Sequence, residues 1–289
     1  RVTLPSKPRP FEEESHPYLR RWRTHTGSET VSEEEALNTR AAYWALVQEV
    51  DGMVGQILDA LRANNLAQET LIVYTSDHGD MMGEHGLWWK HTFYEESVRV
   101  PLILSWPGVI APGTRCERVV SALDVNATML DALGAPALPN SPGRSLLGLV
   151  TEGGVGAGRG SADWEDVAFA EYCEDQYSPP GGAYQRMVRS GRWKLIDYHQ
   201  DPPQLFDLET DPEELTDRAA DPACAEILRE LSATIRDGWD PEQIQAQMAT
   251  RDADNRILEA WAKQVQPVEQ YRWLARPEMN SLDSRSGDR

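Results

Sequence analysis

The stretch from Leu71 to Glu96, LIVYTSDHGDMMGEHGLWWKHTFYEE, holds His78, His85 and His91, half of the chain's six histidines. Asp77 and His78 directly follow an apolar run rich in β-branched residues. A carboxylate oxygen beside an imidazole nitrogen suits a divalent ion, and open α/β sheets place ligand sites just beyond the carboxyl ends of strands. The pair supplies only two ligands, so further ligands must come from elsewhere. Ser76–Gly79 also suits an ordinary strand-to-loop turn, in which Asp caps a backbone amide and Gly79 permits the bend. Lys90 follows the Trp88–Trp89 pair; it could aim a fixed positive charge at an anion, or lie as a solvated side chain beside aromatic packing. Trp88 and Trp89 could line a pocket or pack, and packing is the favoured reading. His85 and His91 carry no assigned role, and Glu95 and Arg99 are spaced for an i,i+4 pair if that segment is helical.

These residues need elements to carry them. Residues 1–31 are Pro-rich and charged and read as an extended surface segment; His16, in SHPYLRRW, lies too close to the following helix to fit a site. Ser32 and Glu35 fit a capping box, and Tyr43, Leu46, Val47, Val50, Val54, Ile57, Leu58 and Leu61 repeat at helical spacing up to a C-cap at Asn64 and Asn65. ETLIVYTSD and VRVPLILSWPG read as strands, the second starting at Pro101. A short strand is expected near Val119, then a helix capped by Asp124 and ended near Gly134. TEGGVGAGRGS is a glycine-rich connector. DVAFAEY and YQRMVRSGRWKLIDY read as strands with a hairpin turn at Ser190 and Gly191, and QLFDLETDPEE as a strand turning into a helix. Helical periods cover 222–238 and 241–264, and the tail from Ser281 frays.

The fold expected is α/β: part of a mostly parallel sheet flanked by helices in 32–162, after the extended segment 1–31, then a smaller antiparallel-sheet-plus-helix subdomain and helical tail in 163–289. Only two or three of the strands a doubly wound sheet needs are visible, so the α/β part reads as the second half of a sheet.

The formal net charge of −19 repels nucleic acid and anionic membrane surfaces at long range, yet leaves room for a small anion held by a local cation or metal. No apolar run is long enough to span a membrane. Cys116, Cys173 and Cys224 have neither metal-ligand spacing nor a disulfide framework and read as packed or incidental thiols.

TLIVYTSDHGDMMGEHGLWWKHTFYEESVRVPLILSWPG resembles the sulfatases of the alkaline-phosphatase superfamily. The register is S-D-H-G at Ser76–Gly79, K-x-x-x-Y-E at Lys90, Tyr94 and Glu95, and R-x-P at Arg99 and Pro101. SALDVNATMLDALGAP resembles the family's D-x-x-x-T-x-L-x-x-x-G segment, and SGRWKLIDY with QLFDLETDPEE its small C-terminal subdomain. Residues 240–283 look most like the choline-sulfatase and arylsulfatase-like bacterial branch. The resemblance implies that Asp77 and His78 bind a divalent ion, calcium being favoured over manganese or magnesium, and that Lys90 contacts the sulfate oxygens. The residue after the Asp is Asn in many sulfatases; it is His in choline-sulfatase-like enzymes and in phosphonate monoester hydrolases, which favour manganese.

The family nucleophile, a formylglycine made within C/S-x-P-S/T-R, has no counterpart in this sequence, nor do the amino-terminal acidic ligands or the P-H-x-P motif. The simplest expectation is the carboxy-terminal portion of a metal-dependent sulfate-ester hydrolase, inactive alone, acting on a small anionic sulfate ester. Two alternatives stand: a phosphonate monoester or phosphodiester hydrolase of the same superfamily, and a nucleophile-less binding or structural chain. A homo-oligomer is compatible with the sequence, and the compartment is left open between cytoplasm and periplasm, leaning to the cytoplasm.

Overall fold

A computed structural model describes residues 2–151, 163–174 and 178–266. The glycine-rich connector, from its second residue on, and the tail from Ser281 lie outside the described residues. The chain divides into two compact units, residues 1–241 and 242–289. The second contains most of one long helix, α7 (Pro241–Val265), close to the expected 241–264.

In the first unit, α1 (Pro17–Thr26) interrupts the segment expected to be extended. Pro17 occupies its first turn, and Gly27, at φ 67, ends it in the left-handed region. Tyr18, Leu19 and Trp22 are buried on one face. The run that marks this face is short, Arg20 and Arg21 stand between Leu19 and Trp22, and the face itself includes a buried Arg23, which hid the helix in the sequence.

Helix α2 (Glu33–Ala63) starts at the expected capping box: the Ser32 amide donates to Glu35 Oε2 at 2.9 Å, and the Glu35 amide to Ser32 Oγ at 3.2 Å. It ends at Asn64, with Asn65 at φ 57. Its apolar side chains include Trp44, Leu46, Val50 and Ile57, all exposed. The period thus marked the helix but not a buried face.

Strands β1 (Ile72–Thr75) and β2 (Leu102–Ser105) pair antiparallel, Ile72 opposite Ser105 and Thr75 opposite Leu102. The expected parallel sheet is not seen here: every strand pairing among the described residues is antiparallel. A parallel pair needs a crossover, usually helical. Here the connection is spent on a long loop whose longest regular piece is α3 (Glu95–Val98).

Val119 lies outside any strand: its amide donates to Asp166 Oδ1 at 3.0 Å and its carbonyl accepts from Trp164 Nε1 at 3.0 Å, so side chains satisfy it instead of a ladder. Helix α4 (Ala122–Ala132) is capped at Ser121, with Asp124 reaching back from the first turn to accept the Ser121 amide at 2.8 Å. A short α5 (Leu147–Val150) follows.

The expected antiparallel sheet forms in sequence order from β3 (Val167–Glu174), β4 (Ala183–Ser190), β5 (Trp193–Tyr198) and β6 (Gln204–Asp207). Gly191, at φ 52, turns the β4–β5 hairpin, where Ser190 pairs with Trp193. After β6 the chain makes turns rather than the expected helix, because Asp211 draws the amides of Leu215 and Thr216 to its carboxylate. Helix α6 (Ala225–Arg236) buries Leu231 and Ile235 and packs on β4 and β5. Cys116 is exposed, Cys173 half-buried and Cys224 buried. No helix among the described residues is long and apolar enough to cross a membrane.

The core joins three sources: α1 through Trp22, the loop between β1 and β2 through Met81, Leu87 and Tyr94, and the four-stranded sheet through Ile196 and Phe206. His85 belongs to this packing. It sits at φ 54, is 1% exposed, and stacks on Tyr94 with ring centroids 4.2 Å apart. Burial, then the charges of Lys7, Arg9 and Lys194, push its pKa down to about 3 from 6.5. A neutral His85 therefore favours the fold above pH 6.5, and the contribution is lost as pH falls toward about 3. We expect His85→Asn, which tolerates the left-handed backbone, to flatten the pH dependence of urea unfolding between pH 7 and 5 by up to ~1.4 kcal/mol per pH unit. Identical slopes for the two proteins would exclude this role.

Candidate active site

The loop after β1 carries all three proposed site residues. Its two arms meet at Gly79, whose amide donates to the Ser97 carbonyl at 2.7 Å. A Cβ on Gly79 would fall 1.9 Å from the Glu96 carbonyl oxygen, so glycine is required for this approach. Ser97 Oγ also donates to the Lys90 carbonyl at 2.8 Å. The contact brings the Lys90 segment back over the end of β1.

Asp77, His78 and Lys90 converge as a result. Lys90 Nζ lies 2.7 Å from His78 Nε2, and Asp77 Oδ2 lies 3.4 Å from the same nitrogen. His78 Nδ1 is 2.8 Å from the Gly79 carbonyl, which can only accept. The proton therefore belongs on Nδ1, leaving the Nε2 lone pair to face Lys90. Asp77 is exposed; its carboxyl sits below the ordinary value because the opposing effect of desolvation is outweighed by His78, by the amides of Asp77 and His78, and by Lys90. The turn reading also holds, since the His78 amide donates to Asp77 Oδ1 at 3.0 Å. The same carboxylate can cap the turn with one oxygen and present the other.

One carboxylate oxygen and one imidazole lone pair facing the same space fit two positions around a divalent ion. Among the described residues no group of three or more metal-ligating side chains assembles. The donor chemistry fits a cation, and the donor number is incomplete.

His16 and His91 are accounted for by packing. His91 lies between Trp22 and Tyr172, tilted to both rings. His16 packs at a tilt against Tyr198, and its Nε2 lies 2.8 Å from the Pro202 carbonyl. Trp88 packs over Gly83 and, with Trp89, Tyr43, Leu46, Asp80 and Met82, lines a cavity of about 550 Å³. Trp89 is 48% exposed at φ 63.

Two supports escaped the sequence reading. Glu84 accepts the amides of Ser6 and Lys7 at 3.1 and 2.8 Å and pairs with Arg40 at 3.3 Å, pinning the amino-terminal segment and α2 to the loop. Lys194 on β5, fully buried, pairs with Glu95 Oε1 at 2.6 Å and Glu214 Oε1 at 2.7 Å. Glu95 thus turns to Lys194, and to Arg189 at 3.7 Å, rather than forming the expected pair with Arg99. Burial pushes Glu214 up; at Glu95 burial is outweighed by Lys194 and Arg189, which hold it low. A signal existed: strand alternation puts Lys194 on the face of Ile196 and Tyr198, both in the core.

Residues 83–239 match the family model for N-sulphoglucosamine sulphohydrolase, C-terminal, and residues 13–135 match the sulfatase model. Mouse arylsulfatase K is 38% identical over 185 residues, covering 61% of this chain and 32% of that protein. Choline-sulfatase of Rhizobium meliloti is 38% identical over 181 residues, covering 62% and 32%. The match thus spans about a third of the length of these relatives. Among solved structures, a phosphonate monoester hydrolase from Silicibacter pomeroyi superposes with a TM-score of 0.70 at 28% identity, over 80% of this chain and 49% of that one. A protein solved in complex with its substrate D-glucosamine-2-N,6-O-disulfate superposes with a TM-score of 0.62 at 27% identity, over 78% and 45%. These matches cover most of the described chain, and the chain belongs to the sulfatase family.

Proposed function

We propose that the protein works as a metal-dependent hydrolase of sulfate esters, a sulfuric ester hydrolase, with Asp77 and His78 as ligands of a divalent ion and Lys90 as the contact to the sulfate oxygens. The observation that carries this reading is the convergence of the Lys90 ammonium and the Asp77 carboxylate on His78 Nε2. Calcium is the preferred ion, with manganese or magnesium as alternatives. The ion would neutralise charge on the ester oxygens. The Nε2 lone pair serves one partner at a time, so with an ion held there Lys90 is released to donate to an anion. Charge spreading over the equatorial oxygens during transfer is what a fixed ammonium stabilises. The cavity beside Trp89 would take the organic remainder of the ester. The nucleophile and the missing ligands are assigned to residues outside this sequence, and so are the parallel neighbours of β1 and β2 in an alkaline-phosphatase-like sheet.

A phosphonate monoester or phosphodiester substrate is the second reading. It is favoured by His78 at the position where many sulfatases carry Asn, and by the likeness to a phosphonate monoester hydrolase. Rates of the complete enzyme on matched aryl sulfate and phosphodiester esters separate the two.

Lys90 is exposed, so Lys90→Ala should leave folding intact while lowering turnover by about 10²–10³-fold, as loss of an oxyanion donor does. Turnover within about twofold of the parent, under ~0.5 kcal/mol of barrier, would exclude the proposed contact. Asp77→Asn, also at an exposed position, should abolish bound metal with the unfolding midpoint of the metal-free protein unchanged. Elemental analysis checks it, and full metal content in the variant would remove Asp77 from the ligand set.

A further inference from the structure

We infer that Lys194, on the C-terminal sheet, is a positioning residue for Lys90: it fixes the segment 93–95, and through it the loop that carries the Lys90 ammonium. The inference rests on the role proposed for Lys90. Lys194 Nζ donates to the Phe93 carbonyl at 2.9 Å and forms ion pairs with the carboxylates of Glu95 and Glu214 at 2.6 and 2.7 Å. Glu214 Oε2 in turn accepts the Glu95 amide at 2.7 Å, so both ends of the segment hang on one buried cation. Between them Tyr94 is fully buried, with its hydroxyl accepting from Gln204 Nε2 on β6 at 3.2 Å. The segment therefore has no backbone freedom independent of the sheet. Lys90, just upstream, is held from its other side by Ser97 Oγ.

An apolar residue at position 194 would fill the same volume without desolvating a charge. A buried ammonium gives instead one hydrogen bond and two ion pairs, and each ends on the site loop or on the Glu214 carboxylate that braces it. The local charges balance, with Arg189 beside Glu95 completing two cations against two carboxylates. Lys194 has no hydrogen bond or ion pair with Asp77 or His78 among the described contacts. Its influence on chemistry runs through the loop.

A double-mutant cycle in the complete enzyme tests this. Lys194→Met and Glu214→Gln should each lower kcat on an aryl sulfate by about ten- to a hundredfold, with metal content retained. In a Lys90→Ala background the same substitutions should change kcat by less than about twofold, because the group they position is gone. If Lys194→Met fails to fold, Glu214→Gln, which keeps the side-chain shape, carries the cycle. A collapse in Lys90→Ala with losses that simply add would show a structural role only and overturn the positioning inference alone. Full activity in Lys90→Ala would overturn the Lys90 reading and this inference together.

Discussion

One buried cation organises the region around the site. Taking the Lys194 ammonium out of water costs several kcal/mol, and two carboxylates must compensate for it within hydrogen-bonding distance. Removing one partner of such a cluster typically costs about 3–5 kcal/mol, because the remaining charge is left buried and unpaired. The constraint therefore acts as a latch: β5, the loop through Glu95 and the turn through Glu214 are all present together or the charges are stranded. An amphipathic contact could slide; this one cannot without stranding a buried charge.

The elements with strong local signals were legible in the sequence. The Ser32–Glu35 capping box, the C-cap at Asn64 and the hairpin at Gly191 express short-range chemistry that acts in the unfolded chain as well as the folded one. The convergence of Asp77, His78 and Lys90 was legible only as a register, and the clasp at Gly79 is what makes it real. What stayed hidden depends on long-range partners. A lysine within a strand ordinarily reads as solvent-facing, so Lys194 declared itself only by sharing a face with Ile196 and Tyr198. Helix α1 was masked by its arginines, one of which, Arg23, is itself buried and donates to the Arg9 carbonyl at 2.9 Å. The antiparallel pairing of β1 with β2 is set by the path of the loop between them, which neither strand's composition encodes.

Net charge and local charge point in opposite directions. The chain carries −19 overall, yet Lys7, Arg40, Lys90, Arg189 and Lys194 all lie on or against the loop. All but Lys90 are tied to carboxylates, among them Glu84, Glu95 and Glu96. Lys90 is bound instead to the imidazole of His78. At physiological salt the distant acids are screened beyond about 8 Å. An arriving anion would therefore respond chiefly to the nearest cation not already neutralised.

The clasp at Gly79 has a consequence for how the protein would look to a genetic survey. Gly79 has no side chain and offers no reacting atom, yet any larger residue there drives a Cβ into the Glu96 carbonyl and pries the loop arms apart. A saturation map of loss-of-function alleles would rank this glycine with the charged groups it brings together. A ranking by tolerance alone would thus merge chemistry with joinery, and only the backbone geometry tells the two apart.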